Sequence, residues 1–293
     1  MTFEETEKNL VDAIGIDITL DTVQLNGYDI RYVKAGSGSS LLLIHGANIG
    51  WGGWYKNIAD LSKEYTVYAL DLPGSGGSSK VNFKHVNFEK AFVETTRRFI
   101  ERFDLHDLTI LGHSLGGWIA LRLALEDHSR IRRLILVDSV GFGDYIPGRF
   151  KLAAYYPFAK LLSKSAIPAT TKGLKEFITS VMHEKQEADQ IFIDYYHASV
   201  NRDFITHPLI LINRLFDWIS FKKEFILRSR LHEIDLPTLI IAGDRDPLIP
   251  LSTVQSYFSK ISSAKIRIMK DAGHTPFLEC PEEFNELILS WDQ

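Results

Sequence analysis

The 293-residue chain predicts an α/β architecture built on a mostly parallel sheet, and three observations carry that expectation. Short apolar runs ended by Gly, Asp or Pro alternate with segments of helical periodicity. The runs are hydrophobic nearly throughout rather than at every second residue, as in strands covered on both faces. An antiparallel hairpin precedes them, so a two-stranded start leads into β-α units.

The hairpin spans residues 21–35, where Leu25-Asn26-Gly27-Tyr28 supplies a turn between two alternating segments. Buried strands are expected at 41–44, 66–70, 108–111, 134–137, 238–241 and 266–269. Helices are expected between them. Phe88, Ala91, Phe92, Thr95, Phe99 and Phe103 recur at about 3.6-residue spacing. Residues 114–126, 253–261 and 281–291 repeat the pattern, the last opening on Pro281, which a first helical turn accepts. The stretch 141–231 breaks the rhythm. It is rich in aromatics, helical in pattern and has no comparable strand run, so it reads as a helical insertion between two core strands.

Composition narrows the classes. A net charge of −4 leaves no basic surplus for nucleic acid or an anionic membrane. No apolar run reaches the length of a membrane span, and the acidic first residues lack a secretory pattern. The single cysteine, Cys280, excludes an internal disulfide and a cysteine-based zinc site. A cytoplasmic protein without a membrane span is the expectation.

Gly112-His113-Ser114-Leu115-Gly116 lies between the 108–111 strand and the 114–126 helix, the context that a nucleophile elbow needs. A sharp strand-to-helix turn lifts the Ser114 hydroxyl clear of the sheet. It also sets the Leu115 N–H at a helix N-terminus, where it can face a developing oxyanion. The loop after strand 41–44 reads His45-Gly46-Ala47-Asn48, and the Ala47 N–H is expected as the second oxyanion donor. His45 is expected to hold that loop by hydrogen bonding.

A serine needs a base, and the base needs an orienting acid. Of the ten histidines, His274 alone sits in a loop after the last strand and before the last helix, at the carboxyl ends where α/β sheets place chemistry. His113 is expected to pack into the elbow. Three aspartates compete for the acid: Asp244 and Asp246 after strand 238–241, and Asp138 after strand 134–137.

Five motifs in order now resemble the α/β-hydrolase superfamily: His45-Gly46, Asp71-Leu72-Pro73-Gly74, Gly112-His113-Ser114-Leu115-Gly116-Gly117, Gly243-Asp244-Arg245-Asp246 and Gly273-His274-Thr275-Pro276. The resemblance implies an α/β-hydrolase fold with helices on both faces of the sheet. It divides the chain into a core of residues 1–140 and 232–293 and a helical cap of residues 141–231. It favours Asp246 as the acid, giving the chain order Ser114, Asp246, His274. Serine as nucleophile argues against the aspartate-based dehalogenase and epoxide-hydrolase branches. The implied activity is hydrolysis of carboxylic esters or lactones through an acyl-enzyme, with a small-molecule substrate and no metal or cofactor. Two other readings stay open: a carbon–carbon bond hydrolase of ring-cleavage products, and a slow-turnover ligand-sensing protein. Asn48, Trp51, Tyr155, Phe216 and Trp218 are candidates for the substrate pocket, and Arg149, Arg202 and Arg214 are the cations that could meet a substrate carboxylate.

Overall fold

A computed structural model describes residues 1–145, 148, 170–183, 188–200, 208–217 and 220–291. An N-terminal helix, α1 (Phe3–Ile14), precedes β1 (Ile18–Leu25) and β2 (Tyr28–Ala35). The hairpin turn falls at Asn26 and Gly27 with φ of 52° and 82°, the two left-handed residues of a tight turn whose twist suits flanking strands. β3 (Ser39–Ile44), α2 (Tyr55–Leu61) and β4 (Tyr65–Leu70) follow. The expected helix at 88–103 opens with a π-helical stretch, Glu89–Glu94, before α3 (Thr95–Arg102). Then come β5 (Leu108–His113), α4 (Leu115–Glu126) and β6 (Ile131–Val137).

Between β6 and the next strand the described residues are helical: α5 (Thr171–Thr179), α6 (Gln190–Val200) and α7 (Pro208–Leu215). The chain returns through β7 (Thr238–Gly243), α8 (Leu251–Tyr257), β8 (Ala264–Met269), α9 (Pro276–Glu279) and α10 (Pro281–Trp291). No helix among the described residues is long and apolar enough to cross a membrane.

The eight strands form one sheet in the order β1-β2-β4-β3-β5-β6-β7-β8. β1, β2 and β4 pair antiparallel, and from β4 to β8 every pairing is parallel. Burial follows that position. β5 and β7 are buried at every residue, as central parallel strands covered by helices must be, while the edge strand β8 is largely open. The register sets Ile44 beside Gly112 and His113 beside Val137. The loops leaving β3, β5, β6, β7 and β8 therefore emerge at one end of the sheet.

Candidate active site

Ser114 is the pivot of the β5–α4 turn. Its backbone lies at φ 51°, ψ −113°, a conformation that costs a non-glycine residue of order 1–3 kcal/mol and persists only where its surroundings enforce it. The Ser114 N–H donates to the Val137 carbonyl (2.9 Å), and its own carbonyl accepts from Val140 (3.1 Å). The flanking glycines are required by close packing. A Cβ on Gly116 would lie 2.2 Å from the Ile44 carbonyl oxygen, and one on Gly112 would lie 2.4 Å from the Gly116 oxygen. Leu115 begins α4, where a helix's first N–H has no intrahelical acceptor.

His274 shares a cavity with Ser114 and Ala47. Its Nδ1 is 2.8 Å from Asp246 Oδ2, and both residues are buried. A carboxylate can only accept, so Nδ1 carries a proton, and in the neutral ring Nε2 is left as the basic nitrogen. Asp246 Oδ1 takes the Leu248 and Ile249 N–H groups at 2.6 and 3.0 Å, which fixes the carboxylate's plane. Asp244 instead accepts from the Asp271 N–H and sits outside this group. Asp138 does belong beside it. One ligand atom from each of Asp138, Asp246 and His274 lies within 4.8 Å of the others. This trio has the donor types of a metal site, but Asp246 and His274 are bonded to each other and Asp138 Oδ1 takes the Gly243 N–H at 3.0 Å.

The other two histidines of the site serve as braces. His45 Nε2 accepts from the Leu72 N–H (2.9 Å), so its proton is on Nδ1, which donates to the Gly46 carbonyl (2.6 Å). Burial holds its pKa down to about 4, so it stays neutral. The loop-holding role expected for it is what it does. His113 packs in the elbow and also does something the sequence did not announce: its Nε2–H donates to the His274 carbonyl at 2.8 Å. Burial and the nearby His274 keep His113 well below the usual imidazole range.

The expected pocket residues divide. Phe216 borders the cavity and packs edge-on against Phe221, with ring centroids 4.6 Å apart. Trp51 and Asn48 do not border it. The Trp51 indole N–H needs a buried acceptor and finds Glu7 Oε1 at 3.0 Å, while its backbone N–H bonds Asp71 Oδ1 at 2.6 Å. Asn48 is a buried turn residue at φ 60°, a left-handed position asparagine tolerates. Tyr155, Trp218, Arg149 and Arg202 lie outside the described residues. Arg214 is off the cavity and donates to the Val86 carbonyl at 3.5 Å.

The cavity is small, with a volume of about 70 Å³. Its described walls are mainly aliphatic and aromatic, with Ile178, Ile212, Leu215 and Phe216 among them, and none is Lys or Arg. Polar side chains enter at His113, Ser114, Tyr196, His274 and Thr275.

Residues 40–281 match the family model described as alpha/beta hydrolase fold. A 2-hydroxy-6-oxo-6-(2'-aminophenyl)hexa-2,4-dienoic acid hydrolase of Metapseudomonas resinovorans is 24% identical over 92% of this chain and 89% of its own. The 1-acylglycerol-3-phosphate O-acyltransferase ABHD5 of Rattus norvegicus is 29% identical over 86% of this chain and 76% of its own. Among solved structures, the carboxylesterase CesB of Bacillus subtilis superposes with a TM-score of 0.78 at 20% identity, covering 98% of this chain and 96% of that one.

Proposed function

The chain belongs to the alpha/beta hydrolase fold family, and we propose that within it the protein is a serine hydrolase of uncharged carboxylic esters, lactones included. The observation that carries this reading is the strained Ser114 sharing one apolar cavity with His274, whose other ring nitrogen is bonded to Asp246.

In the proposed reaction His274 Nε2 takes the Ser114 proton as Oγ bonds to the substrate carbonyl carbon. The oxyanion is held by the N–H groups of Ala47 and Leu115, an arrangement in which each donor is worth about 10²–10³ in turnover. Collapse breaks the bond to the leaving oxygen, which takes the proton from His274. Water then attacks the acyl-enzyme as His274 removes its proton, and Ser114 leaves with that proton. In a lactone the leaving alcohol stays tethered to the acyl group. The steps use these residues alone and call on no metal or cofactor.

The described walls argue for an uncharged substrate. A dienoic acid or a phosphate-bearing acylglycerol, the compounds in the two relatives' names, would bring an anion into a cavity whose described walls offer no cation. We read residues 141–231 as a cap that supplies much of this wall, and a cytoplasmic setting as the protein's place of work.

The test is a serine-directed fluorophosphonate followed by mass spectrometry, alongside turnover of nitrophenyl esters and lactones. Labelling at Ser114, abolished in Ser114→Ala together with multiple turnover, is the expected result. Label elsewhere, or undiminished turnover in the variant, refutes the reading. Faster cleavage of a ring-cleavage dienoate than of any ester would favour the carbon–carbon reading, and one slow turnover per molecule would favour ligand sensing.

A further inference from the structure

The loop carrying His274 is held from below by one carboxylate. Glu279, the last residue of α9, is buried and accepts four hydrogen bonds. Its Oε2 takes the N–H groups of Gly273 and His183, both at 2.8 Å. Its Oε1 takes the Thr275 N–H at 3.0 Å and the Thr275 hydroxyl at 3.1 Å. Two of the four donors are thus the N–H groups of the residues on either side of His274.

The same neighbourhood holds His274 itself. Its N–H donates to the Val181 carbonyl at 2.8 Å, and its carbonyl accepts from His113. Val181 and His183 follow α5, far away in sequence, yet their backbone touches the loop. A Cβ on Gly273 would lie 2.6 Å from the Val181 carbonyl oxygen, so only glycine permits the approach. One carboxylate therefore joins three strangers: the residue before the base, the residue after it, and the segment that follows α5.

A buried carboxylate is a costly filler, and a leucine would occupy similar space without desolvating a charge. What a carboxylate adds is two oxygens that together satisfy three peptide donors which no helix or strand engages. We propose that Glu279 is a positioning residue for the base: it fixes the His274 main chain against residues 181–183, and so sets the angle at which the imidazole meets Ser114. It touches no substrate. The proposal rests on reading Ser114 and His274 as nucleophile and base.

The experiment is Glu279→Gln, assayed as kcat per phosphonate-titrated active site, so that misfolded molecules drop out. The expected result is a kcat about tenfold lower with KM moved by less than about twofold, because misorientation damages the step and not the pocket. Glu279→Asp, whose shorter arm cannot reach the same donors, should lose kcat as well, with KM again little moved. Parental kcat per site in Glu279→Gln overturns the proposal. If that variant yields no folded protein, Thr275→Val removes one donor and reads the same quantity: a loss of about twofold to threefold in kcat per site supports the proposal, and none overturns it. A parent labelled at Ser114 confines any failure to Glu279. A parent not labelled there overturns the underlying reading as well.

Discussion

Asp138 and Asp246 bring carboxylate oxygens to within 4.8 Å of one another and of a His274 ring nitrogen, although they leave different strands, β6 and β7. Two buried carboxylates so close cannot both ionise cheaply. Burial first, and then the charge of Asp246, push the Asp138 carboxyl well above the usual carboxylate range. Asp138 Oδ1 takes the Gly243 N–H while Oδ2 is buried without a hydrogen-bond partner, which makes Oδ2 the oxygen that a proton would occupy. Asp246→Asn is therefore expected to lower kcat/KM by about 10⁴, through the wrong imidazole tautomer. Asp138→Asn, which mimics the protonated group, should cost less than about fivefold. Nitrophenyl-ester kinetics on titrated enzyme decide it, and a large loss only at Asp138 would move the acid to β6.

The buried histidines should contribute a stability that is lost on mild acidification. His45 has its folded pKa at about 4, against 6.5 for a free imidazole, and His113 is also held low. Between those values the unfolded chain binds a proton that the folded chain refuses, so unfolding gains from each fall in pH. The stability is whole above about pH 6.5 and drains toward pH 4, by up to about 1.4 kcal/mol per pH unit for each such histidine. Burial raises the Asp71 carboxyl to about 7 and holds Asp138 well above its usual range, which tilts stability the other way over the same window, so the histidine share is read by difference. In urea unfolding at pH 7.5, 6 and 5, the stability of the parent minus that of His45→Gln should shrink as pH falls, and a constant difference would contradict it.

The Ser114 backbone should be a reservoir of instability. At φ 51°, ψ −113°, glycine relieves what alanine cannot. Ser114→Gly should thus melt above Ser114→Ala by about 2–4 °C, corresponding to about 1 kcal/mol in a chain of this size. Both variants should be inert toward the phosphonate. Equal melting temperatures would show that the elbow stores no usable strain.

Chain-length selectivity should respond to α7. Ile212 is buried and borders the cavity, so Ile212→Trp places ring volume where an acyl chain would lie. The ratio of kcat/KM for nitrophenyl octanoate to that for the acetate should drop by at least about tenfold, with overpacking costing about 1–3 kcal/mol of stability. An unchanged ratio would place the acyl chain elsewhere.

Much of the architecture was legible because it obeys local rules. The core strands appear where the apolar runs lie, usually a residue or two longer, and the Asn26-Gly27 turn is where its φ preference puts it. Helix α1 went unread although its signature was present: Thr2 and Glu5 form a reciprocal capping box. The π-helical Glu89–Glu94 was beyond a 3.6-residue period. At the site, motif residues were easy because each sits at a turn the sequence marks. The bracing groups were hidden for the opposite reason. His113 reaches His274 across 161 residues and Glu279 reaches His183 across 96, and no spacing rule spans such separations. Trp51 was misplaced because its indole partner, Glu7, lies on the unread helix.

The bonds from residues 181–183 to the His274 loop run through peptide groups: the Val181 carbonyl and the His183 N–H. Peptide groups are common to every amino acid except for proline's missing N–H. Val181, Met182 and His183 can therefore drift in identity over evolutionary time, the His183 position excluding proline, without breaking either bond. Lineages that diverge in this segment could inherit the same grip on His274 while their sequences carry no trace of it.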